Sequence, residues 1–125
     1  MSRANIRILV VDDEDLVRVN LTAYLEDEGY TVAAAVSGEE ALELMKERTY
    51  DIGVIDLRLP GMDGNLLILK AHEIQPQMKF LIHTGSTSYT IPKALSDIGL
   101  SNSHIFRKPL VKMEQLVGLI RTLSE

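Results

Sequence analysis

The chain contains no cysteine, and this absence excludes two kinds of structure. Without thiols there can be neither a disulfide framework nor a thiolate metal site, and a cysteine-free chain is compatible with a reducing cytoplasm. No apolar run reaches transmembrane length, and no apolar segment follows Met1-Ser2-Arg3, which we read as a natural start and not as a signal peptide. We therefore expect a soluble cytoplasmic protein with no membrane insertion.

Positive charge is also scarce. Asp and Glu number 18 against 13 Lys and Arg, which gives a formal net charge of −5. Binding to nucleic acid through its phosphates needs a basic surface, and the sequence has no basic stripe. Repeats, low-complexity tracts and Pro/Ser linkers are absent too, and 125 residues suffice for one core. We expect a single domain over residues 1–125 that does not contact nucleic acid directly.

What the sequence does contain is a regular alternation of strand-like and helical patterns. Short apolar runs rich in β-branched residues predict strands at 6–11, 31–35, 51–55, 79–83 and 104–107. Apolar residues at helical spacing predict the intervening helices, which end near Gly29, Arg48, Ile74, Gly99 and Leu123. This alternation requires right-handed crossovers and helices on both faces of a parallel sheet. We predict a doubly wound α/β fold, whose strand order does not follow from periodicity.

Several helix starts carry recognisable signals. Ser37 and Glu40 match a capping box, with Ser37 as the N-cap and Glu40 three residues later. Asp63-Gly64 precedes the third helix, and Pro92 suits the first turn of a short fourth helix. The alternation fails over residues 84–91, which are therefore predicted to form a polar loop.

Acidic side chains stand at the C-terminal ends of two predicted strands. Asp12 and Asp13 follow the first strand, and Asp56 follows the third. Open parallel sheets place their ligand crevice at this edge. Carboxylates that converge there repel one another, by roughly 4 kcal/mol per pair at ~4 Å and an effective dielectric of ~20. A hard divalent cation relieves that repulsion, and oxygen-only ligands suit Mg²⁺ or Ca²⁺.

Two further polar residues fall at the same edge, Thr84 after the fourth strand and Lys108 after the fifth. A metal-binding acid cluster, a candidate carboxylate nucleophile, a hydroxyl and an ammonium together suit the handling of a phosphoryl group. A carboxylate attacks phosphorus only when the negative charge of the incoming group is neutralised, which the metal and Lys108 would do. Thr84 could donate a hydrogen bond to a phosphoryl oxygen.

With these residues in this order, the chain resembles the receiver domain of two-component response regulators over essentially its whole length. The resemblance rests on four segments at matching spacings: Val10-Val11-Asp12-Asp13-Glu14, Asp56-Leu57-Arg58-Leu59-Pro60-Gly61-Met62-Asp63-Gly64, Thr84-Gly85 and Lys108-Pro109. It implies a (βα)5 flavodoxin-like fold with five parallel strands in the order 2-1-3-4-5.

The resemblance also implies roles for individual residues. Asp56 would be the phosphoacceptor, taking a phosphoryl group from a histidine kinase or a phosphotransfer protein, while Thr84 and Lys108 would sense that group. The Lys108-Pro109 bond is expected to be cis. The chain would be a signalling phosphoacceptor and not an enzyme, since it would catalyse only its own phosphorylation and dephosphorylation.

The same resemblance implies a Mg²⁺ site. Asp13 and Asp56 would bind the ion directly, the backbone carbonyl of Arg58 would be a third ligand, and Asp12 would act through water. Phosphorylation would shift the population between two conformations. The sequence does not tell whether the chain dimerises, although the fourth helix, fifth strand and fifth helix are the usual contact face in similar domains and a homodimer through them is possible.

The chain departs from the receiver pattern near the active-site lysine. Receivers commonly carry an aromatic residue three positions before it, and here that position holds Ile105. Phe106 follows, but side chains alternate faces along a strand, so it cannot substitute. The stretch between Thr84 and Lys108 also looks slightly long, and we predict unusual geometry or mobility over residues 85–104.

Three other functions remain to be weighed. A haloacid-dehalogenase-like phosphatase needs a second Asp two residues after the nucleophile, where Arg58 stands. A nucleotide-binding module needs a Gly/Ser/Thr-rich loop after the first strand, where Asp12-Asp13-Glu14-Asp15 would repel a phosphate. A pseudo-receiver that binds a partner without phosphorylation is kept open by the missing aromatic residue.

Other polar residues are read more simply. Glu14 is expected to be a first-turn helix acid that favours the helix dipole. The histidines have no spacing typical of a metal site and are read as structural or exposed: His72, His83 and His104.

Overall fold

The computed structural model describes residues 5–108 and 113–124 of the chain. Within them five strands alternate with five helices in the order β1 (Arg7–Val11), α1 (Asp15–Asp27), β2 (Thr31–Ala35), α2 (Gly38–Glu47), β3 (Ile52–Asp56), α3 (Gly64–Ile74), β4 (Lys79–Thr84), α4 (Lys93–Asp97), β5 (Ile105–Arg107) and α5 (Met113–Leu123). A 3-10 turn at Asn102–His104 leads into β5. The predicted alternation is confirmed.

The strands form one parallel sheet in the order β2-β1-β3-β4-β5. All residues of the central strand β3 are buried, as expected of a parallel strand covered on both faces. Apolar side chains of α2, α3 and α4 pack on one face of the sheet, and those of α1 and α5 pack on the other. The doubly wound, flavodoxin-like fold with order 2-1-3-4-5 is confirmed.

None of the helices in the described ranges has both the length and the apolar content of a membrane span.

The sheet brings the predicted polar residues to one edge. β1 ends at Val11, β3 at Asp56 and β4 at Thr84, and their parallel pairing places these ends side by side. Lys108 follows β5 directly, and its backbone N–H donates to the carbonyl of Thr84 at 2.8 Å. The pairing of the strands therefore places the backbones of the acidic residues, the threonine and the lysine at the same edge of the sheet.

The helix starts agree with the sequence in part. Ser37 caps α2 by accepting a hydrogen bond from the N–H of Glu40 at 3.2 Å. The capping box also predicts a bond from the N–H of Ser37 to the carboxylate of Glu40, and this part of the prediction is wrong. The carboxylate accepts instead from the N–H of Val36 at 3.3 Å. Asp63 caps α3 by accepting from the N–H of Leu66 at 2.9 Å.

The segment before β5 differs from the predicted boundaries. α4 is short, as predicted, but Pro92 is its N-cap and does not lie in its first turn. His104 belongs to the 3-10 turn and not to the strand, because its Nδ1 accepts from the N–H of Ser101 at 2.8 Å and closes the turn. The expected cis bond at Lys108-Pro109 lies outside the described residues.

Gly64 lets α3 start directly against the end of β3. Its N–H donates to the carbonyl of Leu57 at 2.9 Å. A Cβ at this position would collide with the carbonyl oxygen of Asp56 and would lie 2.8 Å from the Cα of Leu57. Both of these are backbone atoms, which cannot rotate away as a side chain can. Close packing of α3 on the site therefore depends on a residue without a side chain.

We expect Gly64→Ala to lower the free energy of unfolding by about 1–3 kcal/mol, because the added methyl group overpacks a rigid contact. Gly118→Ala is the matched control: Gly118 lies in α5 with nothing within 4 Å of an added Cβ. That change should raise stability by up to about 1 kcal/mol through helix propensity. Urea unfolding of both variants checks the pair, and a Gly64→Ala protein as stable as the wild type would contradict the contact.

Candidate functional site

Asp56 lies at the C-terminal end of the central strand and is only 4% exposed. Its two carboxylate oxygens have different partners. Oδ1 accepts from the backbone N–H of Arg58 at 3.2 Å, which tightens the turn after β3. Oδ2 accepts from Nζ of Lys108 at 3.2 Å. The carboxylate is thus held at the floor of the crevice by a backbone donor on one side and an ammonium on the other.

The two acids after β1 differ in exposure. Asp12 is 1% exposed, and its Oδ1 accepts from the backbone N–H of Glu14 at 2.9 Å. Its Oδ2 is buried without a hydrogen bond, although Nζ of Lys108 lies 3.3 Å away. Asp13 is exposed at the mouth. One oxygen from each of Asp12, Asp13 and Asp56 lies within 4.8 Å of the others.

Lys108 is the cation that faces these acids. Its Nζ lies 2.8 Å from the carboxylate of Glu14, in addition to its contacts with Asp12 and Asp56. Burial works against the charged ammonium, but the hydrogen bond from Lys108 to Glu14 and the charges of Asp12 and Asp56 outweigh it. The pKa of Lys108 is therefore raised above its ordinary value. The ammonium stays charged across the physiological range.

Thr84 completes the set at the end of β4, where it is 2% exposed. Its Oγ1 accepts from the backbone N–H of Ser86 at 3.1 Å. A cavity of about 360 Å³ opens between these elements and is lined by Asp13, Glu14, Asp56, Arg58, Thr84, Gly85 and Lys108. The structure thus brings together all the residues that the sequence placed at the site, with Asp12 directly beneath.

Burial governs the charge of Asp12. Removal from water raises its pKa to about 6, and the nearby charge of Asp56 acts in the same direction. The hydrogen bond from the N–H of Glu14 and the charge of Lys108 lower the pKa, but not enough to offset burial. The site therefore has a carboxylate that is poorly compensated in the absence of a further cation.

Two residues at the site were not assigned from the sequence. Glu14 is the N-cap of α1, so its reading as a first-turn acid is wrong; Asp15 holds that position. Its carboxylate pairs with Lys108 across the crevice, a contact that joins residues 94 positions apart. His83 is buried beside Asp56 on the neighbouring strand, and neither ring nitrogen has a hydrogen-bond partner. Local patterns carry no signal for pairings of this kind.

The donor set fits a hard divalent cation. The candidate ligand atoms are carboxylate oxygens, which suit Mg²⁺ or Ca²⁺ and not softer metals. The buried Oδ2 of Asp12 has an ion-pair contact with Lys108 at 3.3 Å but no hydrogen bond of good geometry, so it can still accept from a water bound to a cation. Arg58 lines the same cavity, in the turn that follows Asp56.

Comparisons with known proteins agree with this geometry. A family model for the response regulator receiver domain matches residues 8–121. The sensor kinase CckA of Brucella abortus is 42% identical over 80 residues, which cover 62% of this chain and 8% of the kinase. The chain spans between 8% and 27% of the length of the curated relatives it matches.

Solved structures show the same fold. A receiver domain protein from Methanospirillum hungatei superposes with a TM-score of 0.79 at 29% identity, covering 95% of this chain and 94% of that one. The response regulator TrrA from Thermotoga maritima was solved in complex with Mg²⁺ and BeF. It superposes with a TM-score of 0.78 at 28% identity, and the match covers 94% of this chain and 98% of TrrA.

Two buried groups with shifted pKa values, His83 and Asp12, should make opposite contributions to the pH dependence of stability. Burial lowers the pKa of His83 to about 4 from 6.5, so its contribution is present above pH 6.5 and is lost as the pH falls through 4. Asp12 has its pKa raised from 3.8 to about 6, so its contribution is present below pH 3.8 and is lost as the pH rises through 6. Each of the two pKa shifts corresponds to a change of about 3 kcal/mol in the free energy of unfolding between the protonated and deprotonated states.

We therefore expect His83→Leu to gain stability, relative to the wild type, as the pH falls from 6.5 to 4. Asp12→Asn should lose stability over the same range, since it retains only the histidine contribution. Urea unfolding at several pH values, without divalent cations, measures both. Two variants whose pH profiles run parallel to that of the wild type would show that neither group is perturbed as the geometry indicates.

Proposed function

This chain belongs to the response regulator receiver domain family, and from that premise we propose that it accepts a phosphoryl group on Asp56 and changes conformation to signal to a partner. The observation that carries the proposal is the pairing of Asp56 with Lys108 inside one cavity that Thr84 also lines. A nucleophile, a fixed positive charge and a hydroxyl group within one small space suit phosphoryl transfer.

The proposed reaction needs little from the protein beyond positioning. A carboxylate oxygen of Asp56 attacks phosphorus, and the bond from phosphorus to a histidine nitrogen of the donor breaks. The electron pair of that bond leaves with the imidazole, which takes up a proton, and Asp56 becomes an acyl phosphate. Lys108, already in contact with Asp56, offsets negative charge on the phosphoryl oxygens. Thr84 would donate its hydroxyl hydrogen to one of those oxygens.

We also propose Mg²⁺ as the cofactor. Asp13, Asp56 and the backbone carbonyl of Arg58 would hold the ion, with Asp12 acting through water. When bound, the ion would supply positive charge that orients and neutralises the phosphoryl oxygens. The spacing of the three carboxylates and the oxygen of Asp12 that lacks a hydrogen bond support the assignment, as does the Mg²⁺ in the TrrA complex.

The proposed partner that supplies the phosphoryl group is a histidine kinase or a phosphotransfer protein. The similarity to the sensor kinase CckA supports this class, because that relative joins a matching segment to a kinase. A homodimer through α4, β5 and α5 stays a prediction.

A pseudo-receiver is the second candidate. The observation that favours it is Ile105, which packs against the core shared with α2, α3 and α4, while Phe106 packs on the opposite face. The strand alternation predicted for this pair is thus confirmed, and Phe106 does not take the place of Ile105. A pseudo-receiver would keep the fold and bind its partner without covalent change.

Incubation with acetyl phosphate and Mg²⁺ separates the two candidates. We expect intact mass spectrometry to show one added phosphoryl group on the wild type and none on Asp56→Asn. Asp51→Asn serves as the control, because Asp51 directly precedes β3 at the strand's far end, where it accepts from the N–H of Arg7. That variant should be labelled like the wild type. An unlabelled wild type would favour the pseudo-receiver, and labelling of Asp56→Asn would place the phosphoryl group elsewhere.

A further inference from the structure

The side chain of Arg107 fastens the loop between β4 and α4, residues 85–92, to the end of β5. Nη1 donates to the carbonyl oxygen of Ser86 at 2.6 Å, and Nη2 donates to that of Tyr89 at 3.4 Å. A guanidinium group is planar and permanently charged, so it can hold two acceptors in a fixed relation. We call this pair of contacts the Arg107 clamp.

The same loop is fastened on its other side to α3. The hydroxyl of Tyr89 donates to Oδ1 of Asn65 at 2.7 Å. Asn65 lies in the first turn of α3, one residue after Gly64, whose backbone packs against Asp56. The loop is therefore held between the helix that abuts the proposed phosphoacceptor and the strand that delivers Lys108.

Ser86 is the point where the clamp meets the site. Its N–H donates to Oγ1 of Thr84 at 3.1 Å, and its carbonyl oxygen accepts from Arg107. Thr84 and Arg107 thus hold the two main-chain polar groups of one residue. The N–H and the carbonyl of Ser86 belong to the two peptide groups that meet at its Cα, so a displacement of Ser86 as a whole moves both contacts.

Phosphorylation of Asp56 would place new acceptor oxygens in the cavity that Thr84 lines. A Thr84 side chain that turned to donate to them would withdraw Oγ1 from Ser86 and leave that N–H without its acceptor. Ser86 would then have to shift to find another, and its carbonyl would leave the clamp. The rearrangement needs no aromatic rotation, which matters because Ile105 occupies the position of the usual aromatic residue.

We propose that Arg107 is the positioning residue that couples Thr84 to β5, keeping the loop in its unphosphorylated arrangement until Thr84 releases Ser86. The inference rests on the proposed function, since it takes phosphorylation of Asp56 as the trigger. It adds the element that this chain uses to report the event: a guanidinium clamp on main-chain carbonyls in place of a rotating ring.

Coupling of this kind is reciprocal in free energy: if phosphorylation opens the clamp, removing the clamp favours the open arrangement. Where the open arrangement is the one that reacts, its larger population also raises the rate of phosphorylation. We expect Arg107→Gln to react with acetyl phosphate and Mg²⁺ about two- to fivefold faster than the wild type, the factor that corresponds to one exposed hydrogen bond. A merely structural role would leave the rate unchanged or lower it. Arg121→Gln removes an exposed cation from α5 and should react at the wild-type rate.

Hydrogen exchange supplies the second readout. In the wild type, phosphorylation should speed amide exchange over residues 86–91, and in Arg107→Gln that exchange should be fast before phosphorylation and change little afterwards. Arg107→Lys, which keeps the charge but not the two-pronged geometry, should restore the wild-type behaviour only in part. If Arg107→Gln is phosphorylated at the wild-type rate and keeps the wild-type pattern of amide exchange, the proposed role of Arg107 is overturned. Absence of labelling in the wild type would overturn the proposed function itself.

Discussion

Repulsion between carboxylates at one edge of the sheet is the constraint on which this structure depends. The fold ends β1 and β3 side by side, so that oxygens of Asp12, Asp13 and Asp56 come within 4.8 Å of one another. At that distance, with an effective dielectric of ~20, each pair of charges repels by about 3 kcal/mol. Lys108 relieves part of this cost, but one ammonium shared among several acids cannot neutralise them all. A site of this kind favours a further cation and a group that it can bind.

The rest of the chain serves to hold these charges in place. Two apolar cores, one on each face of the sheet, fix the strands from which the acids project. Gly64 allows α3 to pack directly on the backbone of Asp56. The hydrogen bond from the N–H of Lys108 to the carbonyl of Thr84 fixes the backbone from which the ammonium side chain extends. Electrostatic sites work best when they are rigid before the reaction, because no energy is then spent on reorienting dipoles.

Much of this could be predicted from the sequence, because strands and the acids that follow them are local features. The run before Asp56 indicates a buried parallel strand, and the alternation of strands with helices indicates the doubly wound fold. The strand order needed the resemblance to receivers. The contacts of Glu14 and Arg107 could not be predicted, since they join residues far apart in sequence and on exposed surface. The burial of His83 follows from its strand, but the absence of a partner for its ring depends on packing that no local pattern specifies.

The most direct measurement of the central claim is the dependence of stability on Mg²⁺. A cation that binds only the folded cluster should raise the free energy of unfolding by about 1.4 kcal/mol for each tenfold rise in its concentration above the dissociation constant. We expect this rise in urea unfolding of the wild type and its loss in Asp13→Asn, which removes an exposed carboxylate of the proposed site without disturbing the core. A stability that is independent of Mg²⁺, or an equal rise in Asp13→Asn, would contradict the account.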